Sequence, residues 1–568
     1  MARALRRLIA AGAIAALPTC TGVLRAQSSP NRVQAQVDQI FSRWNASTPG
    51  CAVGVSVKDR VIVRSAYGMA DLERDVANTP ETVFDAGSVA KQFTAAAVLL
   101  LARDGKLSLD DPVRQYIPEL RDYGVVLTIR QMLNHTSGLR DWSTLAGIAG
   151  WPRSVFGQGQ AHVLDTPFGY GHVDVLGILS RQRDLNFPPG TRWSYSNSGY
   201  GLASIIVQRL SGMPFAEFTK RRIFDPLHMT DTSWQQNYTR VVKRRAVGYS
   251  ERQGAFATDM PNVVVDGSGG LLTTVGDLLK WNENFVRPIV GDAAFIAELQ
   301  RNARLTDGRT HEYALGLLVD TYRGVPEADH SGAFAGYRAY VSRYPDQRVS
   351  IAVLCNSASA NPTASGKAVA QLLLGPALRT PAPPPLASHA LTETESARFA
   401  GLYRRSPQAG TLTIVRDQQG LTLPGGPRLV PLSPTRLVRG DGVQTFDFDG
   451  QGRMRATDEF GLVDVFERVE PFRPTAKELQ EFEADYVSDE IDAAFTAAVE
   501  GDVLVLRRRP DTAIALRPAY AGAFSSALGL FVVFERDASG RVEALTVTQE
   551  RVWNLRFTRQ ADVPVRIR

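Results

Sequence analysis

The sequence predicts a mixed α/β fold of the α+β type, with an antiparallel sheet flanked by terminal helices, a central all-α region and two small antiparallel β-barrels. Three observations predict this order. A β-hairpin pattern occurs near each end of residues 30–375, an apolar helical stretch lies between the hairpins, and short, evenly spaced strands follow a proline-rich segment. A chain of 568 residues is long enough for more than one domain.

The predicted sheet is built from both ends of residues 30–375. An amphipathic helix is predicted first, because apolar residues recur at helical spacing between Val33 and Trp44. Runs of alternating polarity then predict strands, and a second hairpin and a helix close the domain. These elements are Cys51–Val57 and Val61–Tyr67, then Tyr337–Arg343 and Arg348–Cys355, then a helix from Thr363 to Leu374.

The central helical region begins with a serine three residues before a lysine, Ser88 and Lys91, followed by the apolar run 93–101. This spacing puts both side chains on one face of a helix's first turn. A serine hydroxyl becomes nucleophilic when a base accepts its proton, and burial can destabilise a lysine ammonium enough for the amine to be that base. The alternative interpretation is an ordinary helix start, with a serine near the cap and a lysine that extends to solvent.

Two further motifs occur once each, Tyr195-Ser196-Asn197 and His330-Ser331-Gly332, the latter entering the strand Tyr337–Arg343. In this order the three motifs resemble the active-site triplet of serine β-lactamases and penicillin-binding proteins. A tyrosine in the second motif is most similar to the branch with class C β-lactamases, D-aminopeptidases and esterases. The resemblance covers residues 30–375. It extends to residues 133–139 and 267–274, interpreted as fold markers, with His135 and Ser137 serving a loop or cap.

The resemblance implies a role for each motif residue. Ser88 is the nucleophile that forms an acyl-enzyme, and Lys91 and Tyr195 share the role of base, with an ammonium beside the phenol favouring the phenolate. Asn197 orients Lys91 and holds a substrate amide. The backbone N–H groups of Ser88 and Ala333 form the oxyanion hole. No metal and no organic cofactor are required. The alternative for Tyr195 is a core aromatic residue.

The third motif departs from the Lys-Thr-Gly of β-lactamases, because His330 replaces the cation that binds the β-lactam carboxylate. A histidine is mostly neutral at pH 7, so carboxylate binding is expected to be weaker and pH-dependent. Ser331 and Gly332 are expected to contact the substrate, with Gly332 letting the substrate backbone lie along the strand edge.

Three functions are therefore kept open. The first is a serine hydrolase that acts on a small peptide, amide or ester containing a D-amino acid and lacking an essential carboxylate. The second is a β-lactamase or D,D-carboxypeptidase in the same fold. The third is a non-catalytic protein that binds peptidoglycan or a peptide and that contacts the cell wall.

The N-terminal segment predicts export. Residues 1–26 contain Arg3, Arg6 and Arg7, an apolar run from Leu8 to Leu17 and then small residues, as in a signal peptide. The protein is therefore expected to be periplasmic or secreted; a lipoprotein attached through Cys20 is the less favoured alternative. No later apolar run is long enough to cross a bilayer.

The charge pattern and the cysteine content argue against a nucleic-acid-binding protein and against a metal site. The net charge of +6 is spread over many arginines, and the clusters 220–222 and 507–509 lack the aromatic residues of a nucleic-acid surface, so they are interpreted as solvated faces. Cys51 and Cys355 remain after the signal peptide, with no pattern for a metal site. In the resembled fold the strands that carry them are neighbours, which allows a disulfide or two buried thiols.

After residue 375 the composition changes. A proline-rich linker is predicted over 376–392, a first barrel over 393–472 and a second over 473–568. A weak repeat, 399–403 and 482–486, heads the two barrels, which resemble the lipocalin-like pair that follows the catalytic domain in D-aminopeptidases. The barrels shape the active-site cleft or bind the wall or a partner. The segment Gly147–Gly171 is a lid or wall of the pocket, or plain surface loop. The sequence does not determine the oligomeric state.

Overall fold

The structure is a computed structural model that describes residues 30–151, 171–237, 240–261, 265–379, 388–508 and 512–560. The predicted signal peptide, 1–26, lies outside the described residues. Among the described residues, no helix is both long enough and apolar enough to span a membrane.

A six-stranded antiparallel sheet lies at the centre of the first domain. Its strands are β1 (Cys51–Val57), β2 (Arg60–Tyr67), β3 (Leu318–Tyr322), β4 (Val325–Phe334), β5 (Tyr337–Tyr344) and β6 (Val349–Cys355). The spatial order is β3-β4-β5-β6-β1-β2, so the first and last strands in sequence pair at the middle of the sheet. Both predicted hairpins are confirmed.

Helices cover both faces of this sheet. The domain contains α1 (Pro30–Ile40), α2 (Lys91–Arg103), α3 (Ile129–Leu133), α4 (Trp142–Ala149), α5 (His172–Ser180), α6 (Asn197–Ser211), α7 (Phe215–Thr219), α8 (Val275–Asn284), α9 (Ala293–Leu299) and α10 (Pro362–Leu374). The terminal helices α1 and α10 share one apolar cluster with alternate residues of β1 and β6. The opposite face belongs to the larger core around α2 and α6.

Two predictions about this domain are wrong. The His330-Ser331-Gly332 motif does not precede its strand but lies within β4, which pairs with β5. The central region, which begins at Ser88, is not all-α, because strands of three small sheets lie in it. These are Leu271–Thr273 with Ser233–Trp234, Tyr249–Arg252 with Ala255–Thr258, and Ala303–Arg304 with Thr310–His311. Phe84–Asp85, which pairs with Leu271–Thr273, and the small sheet Met69–Asp71 with Val76–Ala77 precede the region.

The two cysteines left open by the sequence are joined. Cys51 begins β1 and Cys355 ends β6, and the antiparallel register places them directly opposite each other. They form a disulfide between residues 304 positions apart. The bond links the two hairpins of the sheet.

Two closed antiparallel barrels of eight strands each follow, as predicted. The first, after α11 (Glu393–Phe399), has β7 (Gly401–Ser406), β8 (Gly410–Asp417), β9 (Gly420–Thr422), β10 (Arg428–Ser433), β11 (Arg436–Arg439), β12 (Thr445–Phe448), β13 (Arg453–Thr457) and β14 (Val463–Val469). The second, after α12 (Ala476–Leu479), has β15 (Ala484–Ser488), β16 (Ala493–Glu500), β17 (Val503–Arg508), β18 (Thr512–Pro518), β19 (Ala523–Ser526), β20 (Phe531–Arg536), β21 (Val542–Gln549) and β22 (Val552–Arg559).

The weak sequence repeat has a structural counterpart at the start of each barrel. The buried hydroxyl of Tyr403 donates to the carbonyl of Phe399 at 2.9 Å, and that of Tyr486 donates to Phe482 at 2.8 Å. In both cases a short capped helix is tied to the first strand by the same contact four residues apart.

The second barrel is joined to the first domain by a buried ion pair. Arg140 and Glu490, whose side chains are 2% and 5% exposed, are 2.8 Å apart. Arg140 also donates to the carbonyl of Trp553, and the Arg183 N–H donates to Glu490. Arg508, predicted to be on a solvated face, donates instead to the carbonyls at the end of α4.

Replacement of Glu490 should therefore destabilise the protein strongly. In Glu490→Ala the Arg140 guanidinium stays buried without its carboxylate, which costs roughly 3–5 kcal/mol in the free energy of unfolding. Urea unfolding followed by tryptophan fluorescence measures the change. The matched control is Glu500→Ala, which removes an exposed pair with Arg507 in the same barrel and should cost less than about 1 kcal/mol. Equal effects would contradict the importance of the buried pair.

Candidate active site

Ser88 lies on a 3-10 turn, Gly87–Ala90, that leads directly into α2. The turn is fixed from both sides. The Asp85 carboxylate accepts the Gly87 N–H at 2.8 Å, and Gly87 has a left-handed φ of 52° that favours glycine. A Cβ at Gly87 would lie 2.6 Å from the Ala333 nitrogen, so the turn and β4 approach closely.

Lys91 is fully buried at the start of α2, with 0% exposure. Its Nζ lies 3.1 Å from Ser88 Oγ, 2.8 Å from Asn197 Oδ1 and 2.7 Å from the Ser268 carbonyl. An uncharged amine has two hydrogens and one lone pair. It can therefore donate to the amide and carbonyl oxygens and accept the hydroxyl hydrogen of Ser88.

Burial controls the protonation of the basic groups. It lowers the pKa of Lys91 well below its usual 10.5; Asp141 opposes this shift and Arg551 adds to it. Burial also raises the pKa of the Tyr195 phenol, although the neighbouring Ser88 hydroxyl and Arg551 act in the opposite direction. Burial therefore shifts both groups toward their neutral forms, the amine and the phenol, whereas the sequence led us to expect an ammonium and a phenolate.

Tyr195 and Asn197 are held at the start of α6. The Tyr195 ring centroid is 4.9 Å from Lys91 Nζ. Asn197 begins the helix, and its N–H donates to the carboxylate of Asp141 at 2.6 Å. Asp141 also caps α4 by accepting the Thr144 N–H. One carboxylate thus orders two helix starts beside the cluster.

His330 is buried on β4, and both of its ring nitrogens are hydrogen-bonded. Nδ1 lies 2.6 Å from the Ser331 carbonyl, which can only accept, so Nδ1 carries the hydrogen and Nε2 accepts from Tyr313 Oη at 2.9 Å. Burial, with a smaller contribution from Lys91, lowers the pKa of His330 to about 4. The side chain therefore stays neutral down to a lower pH than expected from the sequence, and it does not supply a cation.

Gly332 is required by the protein itself. A Cβ there would lie 2.0 Å from the Ala86 carbonyl oxygen and 3.1 Å from the Ser88 nitrogen. The glycine therefore lets β4 approach the nucleophile turn, whereas the sequence assigned it to the passage of a substrate backbone. The backbones of Ser88 and Ala333, the predicted oxyanion hole, both line the same cavity.

This cavity, of about 610 Å³, brings together the predicted Ser88, Tyr195, Asn197, His330, Ser331, Gly332 and Ala333. Lys91 lies behind Ser88. Sequence reasoning missed several other lining residues, which come from distant parts of the chain. These are Trp142, Ser143, Trp193, Ser268, Tyr313, Arg338 and Arg551.

For some of these contacts the sequence did contain a signal. Ser268 lies in the family-like stretch 267–274, and its carbonyl binds Lys91. His135 lies in the other such stretch; its buried ring accepts the Ser196 N–H and packs 4.3 Å from the Tyr195 ring. It serves the loop, as predicted, while also supporting Tyr195. Nothing in the sequence pointed to Arg551.

Both barrels reach the walls of the cavity. Phe460, in a loop of the first barrel, packs 4.7 Å from the His311 ring, which stacks at 4.4 Å on Trp193. Arg551, between β21 and β22 of the second barrel, lies above Tyr195. Of the two roles left open for the barrels, these contacts favour shaping of the active-site cleft. Of the predicted lid Gly147–Gly171, residues 152–170 lie outside the described residues.

Comparison with known proteins places the chain in a family. The sequence model of the Beta-lactamase family matches residues 33–375, more than half of the chain. The D-aminopeptidase of Gluconobacter oxydans is 28% identical over 343 residues, which are 60% of this chain and 62% of that protein. The D-aminopeptidase of Cereibacter sphaeroides is 30% identical over 404 residues, 70% of this chain and 71% of that protein.

A solved structure agrees with the fold. The octameric penicillin-binding protein homologue from Pyrococcus abyssi has a TM-score of 0.53 and 22% identity, and the match covers 77% of this chain and 99% of that chain. On this fold, the cluster around Ser88 has the buried lysine beside a serine hydroxyl that a serine hydrolase needs. The chain belongs to the Beta-lactamase family. Its match spans less than two thirds of the Gluconobacter protein.

The contact at Gly332 predicts a specific defect. In Gly332→Ala the new methyl group should push β4 from the nucleophile turn, and labelling of Ser88 by a fluorophosphonate should slow by about 100-fold or more. Gly269→Ala is the control, because a Cβ there, in the same cavity, meets nothing nearer than 4.0 Å. Labelling of Gly332→Ala at the wild-type rate would show that the reaction of Ser88 does not depend on the close approach of β4 to the nucleophile turn.

Proposed function

We propose that this protein is an exported serine hydrolase that forms an acyl-enzyme on Ser88 and cleaves peptides, amides or esters containing a D-amino acid. The observation that carries the proposal is the fully buried amine of Lys91, 3.1 Å from the hydroxyl of Ser88. Among the described residues Lys91 has no carboxylate at hydrogen-bond distance; such a buried lysine is costly to keep, and a base for the nucleophile gives a reason to keep it.

The proposed reaction has two halves. Ser88 Oγ bonds to the substrate carbonyl carbon while its proton passes to the Lys91 amine. The bond from that carbon to the leaving nitrogen or oxygen then breaks, and the leaving group takes the proton through the Tyr195 hydroxyl. Water attacks the acyl-enzyme by the reverse path and releases Ser88. The N–H groups of Ser88 and Ala333 stabilise the oxyanion in both halves.

Two observations favour the D-amino-acid class over β-lactams. The relatives named above from Gluconobacter and Cereibacter are D-aminopeptidases. At the third motif the neutral His330, with both ring nitrogens bonded, takes the position of the cation that β-lactamases use. Efficient β-lactam hydrolysis is therefore the second candidate and not the first.

Export is supported by the sequence of residues 1–26 and by the disulfide between Cys51 and Cys355. Disulfides persist in oxidising compartments such as the bacterial periplasm and are rare in the cytosol. A periplasmic or secreted location would give the enzyme access to the D-amino acids of cell-wall peptides.

Trapping of the acyl-enzyme tests the proposal. Wild type, Ser88→Ala and the exposed-site control Ser539→Ala are incubated with a fluorophosphonate, a fluorescent penicillin and D- and L-aminoacyl p-nitrophenyl esters, then measured by intact mass and absorbance. A covalent adduct and turnover of D-aminoacyl esters are expected in wild type and Ser539→Ala, and neither in Ser88→Ala. Turnover of a chromogenic cephalosporin would favour a β-lactamase. Folded protein without any adduct would indicate a binding protein.

The protonation of Lys91 predicts the pH profile. Activity needs the neutral amine, so kcat/KM should fall as acid protonates it; because burial lowers its pKa well below 10.5, the profile should reach its plateau well below pH 10.5. The measurement is kcat/KM for a neutral ester against pH. Lys91→Arg, which cannot deprotonate, should be inactive throughout, and Lys106→Arg, at an exposed lysine, should match wild type. A rise of about tenfold per pH unit that continues up to pH 10.5 would contradict a lowered pKa.

A further inference from the structure

The described residues that line the cavity include two arginines, Arg338 and Arg551, and no aspartate or glutamate. A free α-ammonium on a substrate would find no carboxylate on these walls, whereas an anionic group would find a cation. The walls therefore favour a substrate with a negative charge. The expectation of a substrate without an essential carboxylate rested on the third motif, in which His330 replaces the cation, and on its resemblance to the D-aminopeptidase branch.

Of the two cations, Arg551 is the one available to a ligand. Arg338 Nη1 donates to the carbonyls of Ala335 and Tyr337, which fixes it to its own hairpin. Among the described residues Arg551 has one carboxylate within 4 Å, that of Glu550 at 3.6 Å, and the Glu550 side chain is 80% exposed. Arg551 Nε is buried without a hydrogen-bond partner among the described residues.

The backbone of Arg551 is fixed to the first domain. Its carbonyl accepts from the Asp141 N–H at 3.2 Å and from Asn186 Nδ2 at 3.0 Å. Two residues further on, the Trp553 N–H donates to Asn186 Oδ1 at 2.8 Å, so that the Asn186 amide both donates to this segment and accepts from it. The guanidinium carbon lies 4.8 Å from the centroid of the Tyr195 ring, and the side chain is 31% exposed. The cation is thus preorganised and still reachable.

The side of the site on which Arg551 lies follows from Tyr195. In the proposed reaction Tyr195 hands the proton to the leaving group, so a cation above its ring lies on the leaving-group side. A guanidinium there presents parallel N–H groups that match the two oxygens of a carboxylate.

We propose that Arg551, supplied by the second barrel, binds a carboxylate on the leaving group of the substrate and thereby selects acyl donors with an anionic leaving group. The inference rests on the proposed function, because it takes the leaving-group side from the role of Tyr195. It adds a specificity residue in another domain and replaces the expectation of a carboxylate-free substrate.

A matched pair of substrates tests it. N-acetyl-D-alanyl glycolate ends in a carboxylate, and N-acetyl-D-alanyl glycolamide carries an amide at the same place. Wild type should have the higher kcat/KM for the glycolate ester. Arg551→Gln should lose about 10- to 100-fold on that ester and little on the glycolamide, while Arg551→Lys should recover part of the loss. The control Arg556→Gln removes an equal charge from the adjacent strand, where Arg556 pairs with Glu543, and should behave as wild type.

Equal losses on both esters would overturn the proposal and indicate that Arg551 only positions Tyr195. Equal wild-type activity on both would overturn it as well. Failure of the proposed function is visible separately, as no Ser88-dependent turnover of any ester. If no ester is turned over, binding of the two esters to Ser88→Ala is measured by calorimetry. Tighter binding of the glycolate ester, lost when Arg551→Gln is added, supports the proposal. Equal binding of the two esters overturns it.

Discussion

An amine that is fully removed from water is the constraint on which the rest of the site depends. Lys91 has room for three hydrogen-bond partners and no counter-ion among them, so each partner must be held in place by other parts of the chain. Asn197 is fixed through Asp141, and the Ser268 carbonyl belongs to the turn before the strand Leu271–Thr273. A buried polar group of this kind is stable only when its network is complete.

The barrels belong to this network rather than to a separate module. The segment 140–141 that serves Asn197 is itself held by Glu490 and by the carbonyl of Arg551, both in the second barrel. The first barrel supports the part of the wall at Trp193 through Phe460 and His311. The active-site geometry is therefore a property of all three domains.

The sequence predicted what local chemistry determines. Helical and alternating patterns located both hairpins and the terminal helices, and three short motifs located the cluster around Ser88. It failed where the outcome depends on packing between distant segments. The His330 motif was placed before the strand Tyr337–Arg343 and not within β4, and the contact of Gly332 with Ala86 was missed. The protonation states and Arg551 required burial and domain docking, which no local pattern contains.

The pairing of β1 with β6 has a consequence for biogenesis. During synthesis the hairpin that begins at Cys51 is complete long before its partner strand, which ends at Cys355, leaves the ribosome. Contacts of such long sequence separation form slowly, and until they do the hairpin exposes an unpaired strand edge that can join another chain. In a protein built this way that edge stays open until the last strand of the sheet is made.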